Sequence, residues 1–446
     1  MARSPSRPSS PRRTPEEAGR VRFDTALAEL VGRQPDRIVP TLDRIEAVAE
    51  LLGGPQLTHP SIHVTGTNGK TTIARAVTQL ACAHGITTGL YTSPHLLSLT
   101  ERFQICDREI TVAEFGEEYE RLLPVLEAVD ARDEHRVTYF EVLTALAFLW
   151  FADAPVGLGV YEVGMGGRWD ATVLCSGDVA VIGEVGLDHP ELGSTIAEVA
   201  GEKAAIIKPD RIAVSRAQAP DALRVIEERV REVAASLLLE DRDFGLDRRV
   251  PAVGGQQLTI RTPHRTYEDI YIPLFGEYAA RNAAVAIAAF EAFLDRELET
   301  SAVVEALGAI TTPGRLEVAG RRPLIVLDGA HNPAGAEALA AAVREVFSWQ
   351  RLHLVVAVSA NKDVEGMLSA LAPLADRAYA TRNDSSRSGE AQALFEAIAI
   401  RDVPVERFSS VAAALDAASG SAGNDDLILV TGSLYTVADA RRALGP

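Results

Sequence analysis

The sequence predicts an α/β protein: a P-loop-type domain on a mostly parallel sheet, followed by a smaller Rossmann-like C-terminal α/β domain. Three observations carry this. Helical and strand signals alternate from residue 22 to 446, the pattern of βαβ units whose strands pair in parallel. Residues 63–72 read HVTGTNGKTT, an apolar strand running through a Gly-rich turn into a helix. Residues 311–314, TTPG, form the best linker in the chain, and a second α/β pattern begins after them. The expected layout is a tail over 1–20, a first domain over 21–311, a hinge over 312–315 and a second domain over 316–446.

Taken in order, residues 1–20 are rich in Arg, Pro and Ser and lack the apolar run of a secretory signal. Pro5, Pro8, Pro11 and Pro15 break any amphipathic transit helix, so a disordered tail is expected. Residues 42–52 have amphipathic helical spacing. Residues 61–64 form a strand, 66–69 a tight loop, and 71–82 a helix with Ile73, Ala76, Val77 and Leu80 on one face. A short strand over 87–91 runs into Thr92-Ser93-Pro94-His95. Residues 113–129 and 139–151 are helical, the second almost wholly apolar. Buried strands at 156–163 and 178–185 each end in polar, Gly-rich sequence. Between 245 and 273 the alternation is that of hairpins, and 281–294 is an Ala-rich helix. In the second domain 324–327, 352–358, 378–381 and 426–431 read as strands, and Asn332 caps a helix with Pro333 in its first turn.

Composition narrows the function. The formal net charge of −18 argues against nucleic acid or an anionic membrane as partner, and no apolar run reaches the roughly 18 residues of a membrane span. Cys82, Cys106 and Cys175 have no metal spacing and form no disulfide framework, so they read as small core residues of a cytoplasmic protein. Of 44 cationic side chains only four are lysine: Lys70, Lys203, Lys208 and Lys362. These mark places where an amine or ammonium is wanted and a guanidinium is not.

A strand, a Gly-rich turn and a helix N-terminus make an anion site, with backbone N–H groups and the helix dipole both favouring phosphate. Lys70 would reach the outer phosphates, and the hydroxyl of Thr71 would hold Mg2+. Thr71, Ser93, Glu162 and His189 all fall just past strand ends, where open α/β sheets bind ligands. If those strands are neighbours, the four side chains converge. Thr71, Glu162 and phosphate oxygens suit the hard-oxygen preference of Mg2+, while the histidine hints at a second metal position.

Seven blocks in order then give a resemblance that runs from about residue 22 to the end. They are GTNGKTT (66–72), TSPHL with ERF (92–96, 101–103), TYFE (138–141) and EVGMGGRWDAT (162–172), followed by LDH with GEKAAIIKP (187–189, 201–209), PGR with LDGAHNP (313–315, 327–333) and TGSLYTVADAR (431–441). The chain resembles the folylpolyglutamate synthase/dihydrofolate synthase branch of the ATP-dependent Mur ligases. The resemblance implies that a carboxylate is phosphorylated by ATP and the acyl phosphate attacked by the amine of L-glutamate, with folate or dihydropteroate as acceptor.

It further implies that Thr67, Asn68, Gly69, Lys70, Thr71, Thr72, Asn282, Arg315, Asp328 and His331 bind ATP. Thr71, Ser93, Glu162 and His189 would serve two Mg2+, and Lys203, His189 and Arg315 would be catalytic. Phe140 and Asp170 would line the acceptor pocket. It admits a carbamate on Lys203 and a monovalent cation, and a monomer is expected. Departures are Thr71-Thr72 after the lysine, Val173 where the family has Asn, and Ala205 where it has Gly. A UDP-muramyl-peptide ligase would need an extra N-terminal domain, and only about 60 residues precede the phosphate loop. A GTPase-like switch would need NKxD, whereas Asn361-Lys362-Asp363 brings the Asp one residue early.

Overall fold

The computed structural model describes residues 15–34 and 39–445. The first sheet is built from Ser61–Thr65 (β1), Thr88–Tyr91 (β2), Phe103–Ile105 (β3), Arg108–Glu109 (β4), Leu158–Glu162 (β5), Val179–Ile182 (β6), Ile212–Ser215 (β7) and Ser236–Leu239 (β8), in the spatial order β4-β3-β2-β5-β1-β6-β7-β8. The six strands from β2 to β8 run parallel, and β3 and β4 add an antiparallel edge. β1 is therefore central, flanked by β5 and β6, and its carboxyl end opens into the phosphate loop. Strands β7 and β8 escape the sequence reading because both are short and flanked by charged helical sequence.

Helices cover both faces, as a parallel sheet requires. On one face Ile62 and Val64 of β1 pack with the phosphate-loop helix Lys70–Ala83 and the Ala-rich helix Glu277–Leu294. The small alanines let these two helices approach closely. A three-stranded antiparallel sheet, Gly245–Ala252 (β9), Gly255–Arg261 (β10) and Thr266–Ile272 (β11), closes that side and accounts for the hairpin pattern. The other face packs against the apolar helix Tyr139–Asp153 and the helix Val112–Asp130.

The helix Pro15–Val31 also lies on this face, burying Phe23, Ala26 and Leu30. It begins inside the segment expected to be a tail. The reason is its apolar stripe, which the Arg/Pro-rich composition of the preceding residues conceals. Residues 1–14 of that expected tail lie outside the described residues.

Arg44 and Glu141 join two helices of this layer by paired hydrogen bonds of 3.0 Å, with both side chains buried. Breaking a buried pair strands the remaining charge. Glu141→Gln is therefore expected to cost about 3 kcal/mol in urea unfolding; a loss below about 0.5 kcal/mol would show the pair to be dispensable.

The second sheet contains Glu317–Arg321 (β12), Leu324–Leu327 (β13), Leu352–Val356 (β14), Arg377–Ala380 (β15), Val405–Arg407 (β16) and Leu427–Thr431 (β17), ordered β12-β13-β17-β14-β15-β16. All but β12 are parallel. Asn332 caps the helix Pro333–Val346 by accepting from Gly335 N, as expected.

Cysteine pairing departs from expectation. Cys82, at the end of the phosphate-loop helix, is disulfide-bonded to Cys106 in the β3–β4 turn, with Cα atoms 5.9 Å apart. The sheet order brings the two together, which spacing along the chain does not reveal. Cys175 is free and buried, as expected. Among the described residues no helix is long and apolar enough to cross a membrane.

Candidate active site

The carboxyl ends of β2, β5, β1 and β6 meet at one rim, facing the Asp328–Pro333 turn of the second lobe. Between them lies a cleft of about 1350 Å3 lined by residues from both lobes. The phosphate loop turns through Gly69, whose φ of 82° is left-handed and whose missing Cβ would sit 2.7 Å from the Asn282 amide. Only glycine fits there. Val64, where the general P-loop has glycine, is instead a fully buried strand residue opposite Glu162.

Lys70 folds back along the loop, and its Nζ donates to the carbonyls of Gly66 (2.9 Å) and Thr67 (3.2 Å). Lys203, almost wholly buried, donates to the same Gly66 oxygen at 3.0 Å. Two ammonium groups thus share one carbonyl. Burial first, and the charge of Lys70 second, push Lys203 down to about 7. Burial pushes Lys70 down as well, against the attraction of Glu162 and Asp188.

Glu162 ends β5 and is 1% exposed. Thr71 Oγ1 donates to both its oxygens, at 2.9 and 3.0 Å, and Ser93 N donates at 3.3 Å. Burial pushes this carboxyl up, with Lys70 the main opposing charge. Thr72 is buried and away from this contact, so of the two hydroxyls after Lys70 it is Thr71 that meets the carboxylate. Among the described residues no three or more His, Cys, Asp and Glu side chains form a metal cage. The donor set is one carboxylate with neighbouring hydroxyls. That fits a hard divalent cation completing its shell with phosphate and water.

The far wall centres on Asp188, which the sequence reading passed over in favour of its neighbour His189. Its carboxylate accepts from Lys362 Nζ at 2.5 Å and lies 3.3 Å from His189 Nε2 and 3.5 Å from His331 Nε2. Burial would raise its pKa, but His331, then His189 and Lys362, hold it well below the usual carboxylate range. Burial pushes His189 down to about 4, despite Asp188. Lys362 comes from the second lobe, so this cluster ties the lobes together. Asn68 and Asn332 do the same with a reciprocal amide pair at 3.1 and 3.4 Å. His189 joins Asp188, and among the described residues no hydrogen bond or ion pair links it to Glu162.

Arg315 lies beside Gly329, and no hydrogen bond or ion pair holds its guanidinium among the described residues. Its charge reaches Lys70, Glu162 and Asp328. Asp328 is occupied by its own turn, accepting from Leu316 N and Ala330 N at 2.8 Å each. His331 Nδ1 bonds Gly329 O at 2.9 Å. Asn282 accepts from Arg216 at 3.1 Å, which in turn pairs with Glu240 at 2.8 Å. Arg216 directly follows β7, a strand-end position that would have been a signal had that strand been recognised.

Phe140 and Asp170 both line the cleft. Asp170 turns its oxygens inward, accepting from Gly164 N, Met165 N, Thr172 N and Thr172 Oγ1 at 2.5–3.1 Å. It shapes the loop between β5 and β6. Thr67 likewise spends its hydroxyl on Gly186 O, at 2.8 Å. Lys208 now has a structural account: its stem lies along Gly177 and its ammonium donates to Cys175 O, away from the cleft. Ala205 has a φ of −61°, a backbone that needs no glycine.

Residues 64–290 match the family model of the Mur ligase middle domain, and residues 314–434 that of the Mur ligase glutamate ligase domain. The chain is 41% identical over 442 residues to the dihydrofolate synthase/folylpolyglutamate synthase of Mycobacterium tuberculosis, covering 92% of this chain and 91% of that protein. The chain belongs to the folylpolyglutamate synthase/dihydrofolate synthase branch of the Mur ligases. It is an ATP-dependent ligase. The Bacillus subtilis dihydrofolate synthase/folylpolyglutamate synthase is 32% identical, covering 95% of this chain and 99% of that one.

Among solved structures, the M. tuberculosis folylpolyglutamate synthase complexed with ADP superposes with a TM-score of 0.92 at 40% identity, over 96% of this chain and 99% of that one. A folylpolyglutamate synthase complex with AMPPCP and folate gives 0.84 at 31% identity, over 95% of this chain and 100% of that one. The α/β lobes and the resemblance drawn from the seven sequence blocks agree with these likenesses.

Proposed function

We propose that this ligase adds L-glutamate to a pteroate-type carboxylate, dihydropteroate or a reduced folate, through an acyl phosphate. The observation that carries the reading is the Lys70–Gly66–Lys203 and Thr71–Glu162 constellation at one end of the cleft. It pairs a phosphate cradle with a buried carboxylate fit for a metal. An acceptor carboxylate oxygen attacks the γ-phosphorus and ADP leaves. The glutamate nitrogen then attacks the acyl carbon and loses a proton, and the tetrahedral adduct expels phosphate.

Three anions meet in this cleft, and cationic groups offset their repulsion. Lys70 and the loop N–H groups hold phosphates, and Arg315, whose guanidinium no hydrogen bond or ion pair holds among the described residues, is placed to meet the transferring group. Asn282 and His331 border the nucleotide, with Asp328 holding the His331 turn in shape. Phe140 and the Asp170-organised loop form the acceptor wall. Mg2+ bound through Thr71 and Glu162, with Ser93 beside them, would neutralise phosphate charge, and His189 would serve a second ion.

Lys203 is suited to carbamylation. An amine pushed down to about 7 is about half unprotonated at neutral pH, and the addition of its neutral form to CO2 forms the N–C bond and releases a proton. The product exchanges a repelled cation for an anion beside Lys70, which a guanidinium cannot do. A monovalent cation, a monomeric state and a cytoplasmic setting belong to the same reading.

The test is phosphate release from ATP with acceptor or glutamate omitted in turn. Release should require both, with dihydropteroate and tetrahydrofolate compared in parallel and products sized by mass. An unchanged rate on omitting either would refute the assignment.

A further inference from the structure

The polar face of β1 is unusual for a central parallel strand. Ser61, His63 and Thr65 alternate with Ile62 and Val64, and all three are fully buried. Buried polar groups are costly unless paired, and each of these is paired with the same segment, the connection between β5 and β6. Ser61 Oγ accepts from Gly177 N at 2.7 Å and contacts Ser176 Oγ at 2.9 Å. His63 Nε2 meets Thr172 Oγ1 at 2.8 Å, and Thr65 Oγ1 donates to Gly166 O at 2.7 Å. The strand that delivers the phosphate loop thus also anchors the acceptor wall at three points, two residues apart.

The central contact is directional. Thr172 donates its hydroxyl hydrogen to Asp170 Oδ1 at 2.5 Å, so it must accept from His63. The ring proton therefore sits on Nε2, and Nδ1 has no partner among the described residues. Burial, then the charge of Lys208, pushes the ring down to about 3 and keeps it neutral. Asp170 in turn holds Gly164 and Met165 N–H at 2.9 and 3.0 Å, and Phe140 packs against Gly164.

We propose that His63 is a positioning residue for the acceptor, acting through the chain His63–Thr172–Asp170 to fix the loop that forms the acceptor wall. This rests on the assignment of that wall to the pteroate-type substrate. His63 touches no substrate; it sets the direction of the Thr172 hydroxyl and through it the Asp170 carboxylate.

The experiment measures KM for acceptor and for ATP separately, in wild type, His63→Leu, His63→Gln, Thr172→Val and the Leu/Val double variant. Losing one buried hydrogen bond at this relay should raise the acceptor KM about tenfold while the ATP KM stays within about twofold. His63→Gln carries an Nε2 donor at a similar reach and should stay within about threefold of wild type. The double variant should be no worse than the poorer single one, because both break one chain. Thr172→Val carries the test if His63→Leu does not fold. Equal rises in both KM values, a glutamine variant as impaired as leucine, or additive losses would overturn the inference. A wild type that ligates glutamate to no pteroate-type acceptor would instead refute the proposed function.

Discussion

Replacing Lys203 by arginine is expected to lower turnover by about a thousandfold, the scale of removing a group that organises a transferring phosphoryl centre. Arginine keeps a cation at this position, so a role that needs only positive charge would survive. What is lost is an amine that can be neutral and react with CO2. The site is tight as well as cationic: Lys203 is 3% exposed and already shares the Gly66 carbonyl with Lys70. A guanidinium there stays protonated and larger, and it faces Lys70 permanently. ADP binding should persist, since Lys70 and the other residues of the phosphate loop are unchanged and Lys70 also holds the Gly66 carbonyl. A Lys203→Arg protein with activity within tenfold of wild type would remove Lys203 from the chemistry. A protein that merely bound nucleotide would scarcely register the change.

Glu162→Gln is expected to weaken Mg2+-dependent nucleotide binding by about a hundredfold and turnover by at least as much, since the anionic ligand of the ion is lost. The amide keeps the shape and an oxygen to accept from Thr71 or Ser93, so the fold should be preserved. Burial pushes the carboxyl up, so a nearby cation would favour its charged form. Titration calorimetry with ADP, with and without Mg2+, separates the effects: the Mg2+-dependent part of the affinity should vanish and the remainder survive. Identical Mg2+ dependence in the variant would place the ion elsewhere.

The parts legible in the sequence are those set by local rules. The phosphate loop, the strand ends carrying Ser93 and Glu162 and the Asn332-Pro333 helix start each follow from neighbours a few residues apart. Sheet order then decides the rest: β2, β5, β1 and β6 are adjacent and bring Thr71, the Ser93 backbone N–H and Glu162 together, while His189, expected with them, joins Asp188. What escaped depends on long-range packing. Asp188 and Lys362 are 174 residues apart and meet only because two lobes face each other. The Cys82–Cys106 bond reflects the folding of the β3–β4 edge back to the helix end. The resemblance places Asp170 at the acceptor pocket; its carboxylate faces its own loop, a distinction between lining a wall and shaping it that residue type does not carry.

The central claim is that the cleft activates an acceptor carboxylate by phosphoryl transfer before glutamate attacks. The most direct measurement uses an acceptor whose carboxyl oxygens are heavy-oxygen-labelled, with ATP, Mg2+ and L-glutamate, and reads the mass of the phosphate released. The structure predicts one labelled oxygen in each phosphate, accompanied by ADP and by an acceptor heavier by one glutamyl unit. Unlabelled phosphate, or release of AMP and pyrophosphate, would contradict it.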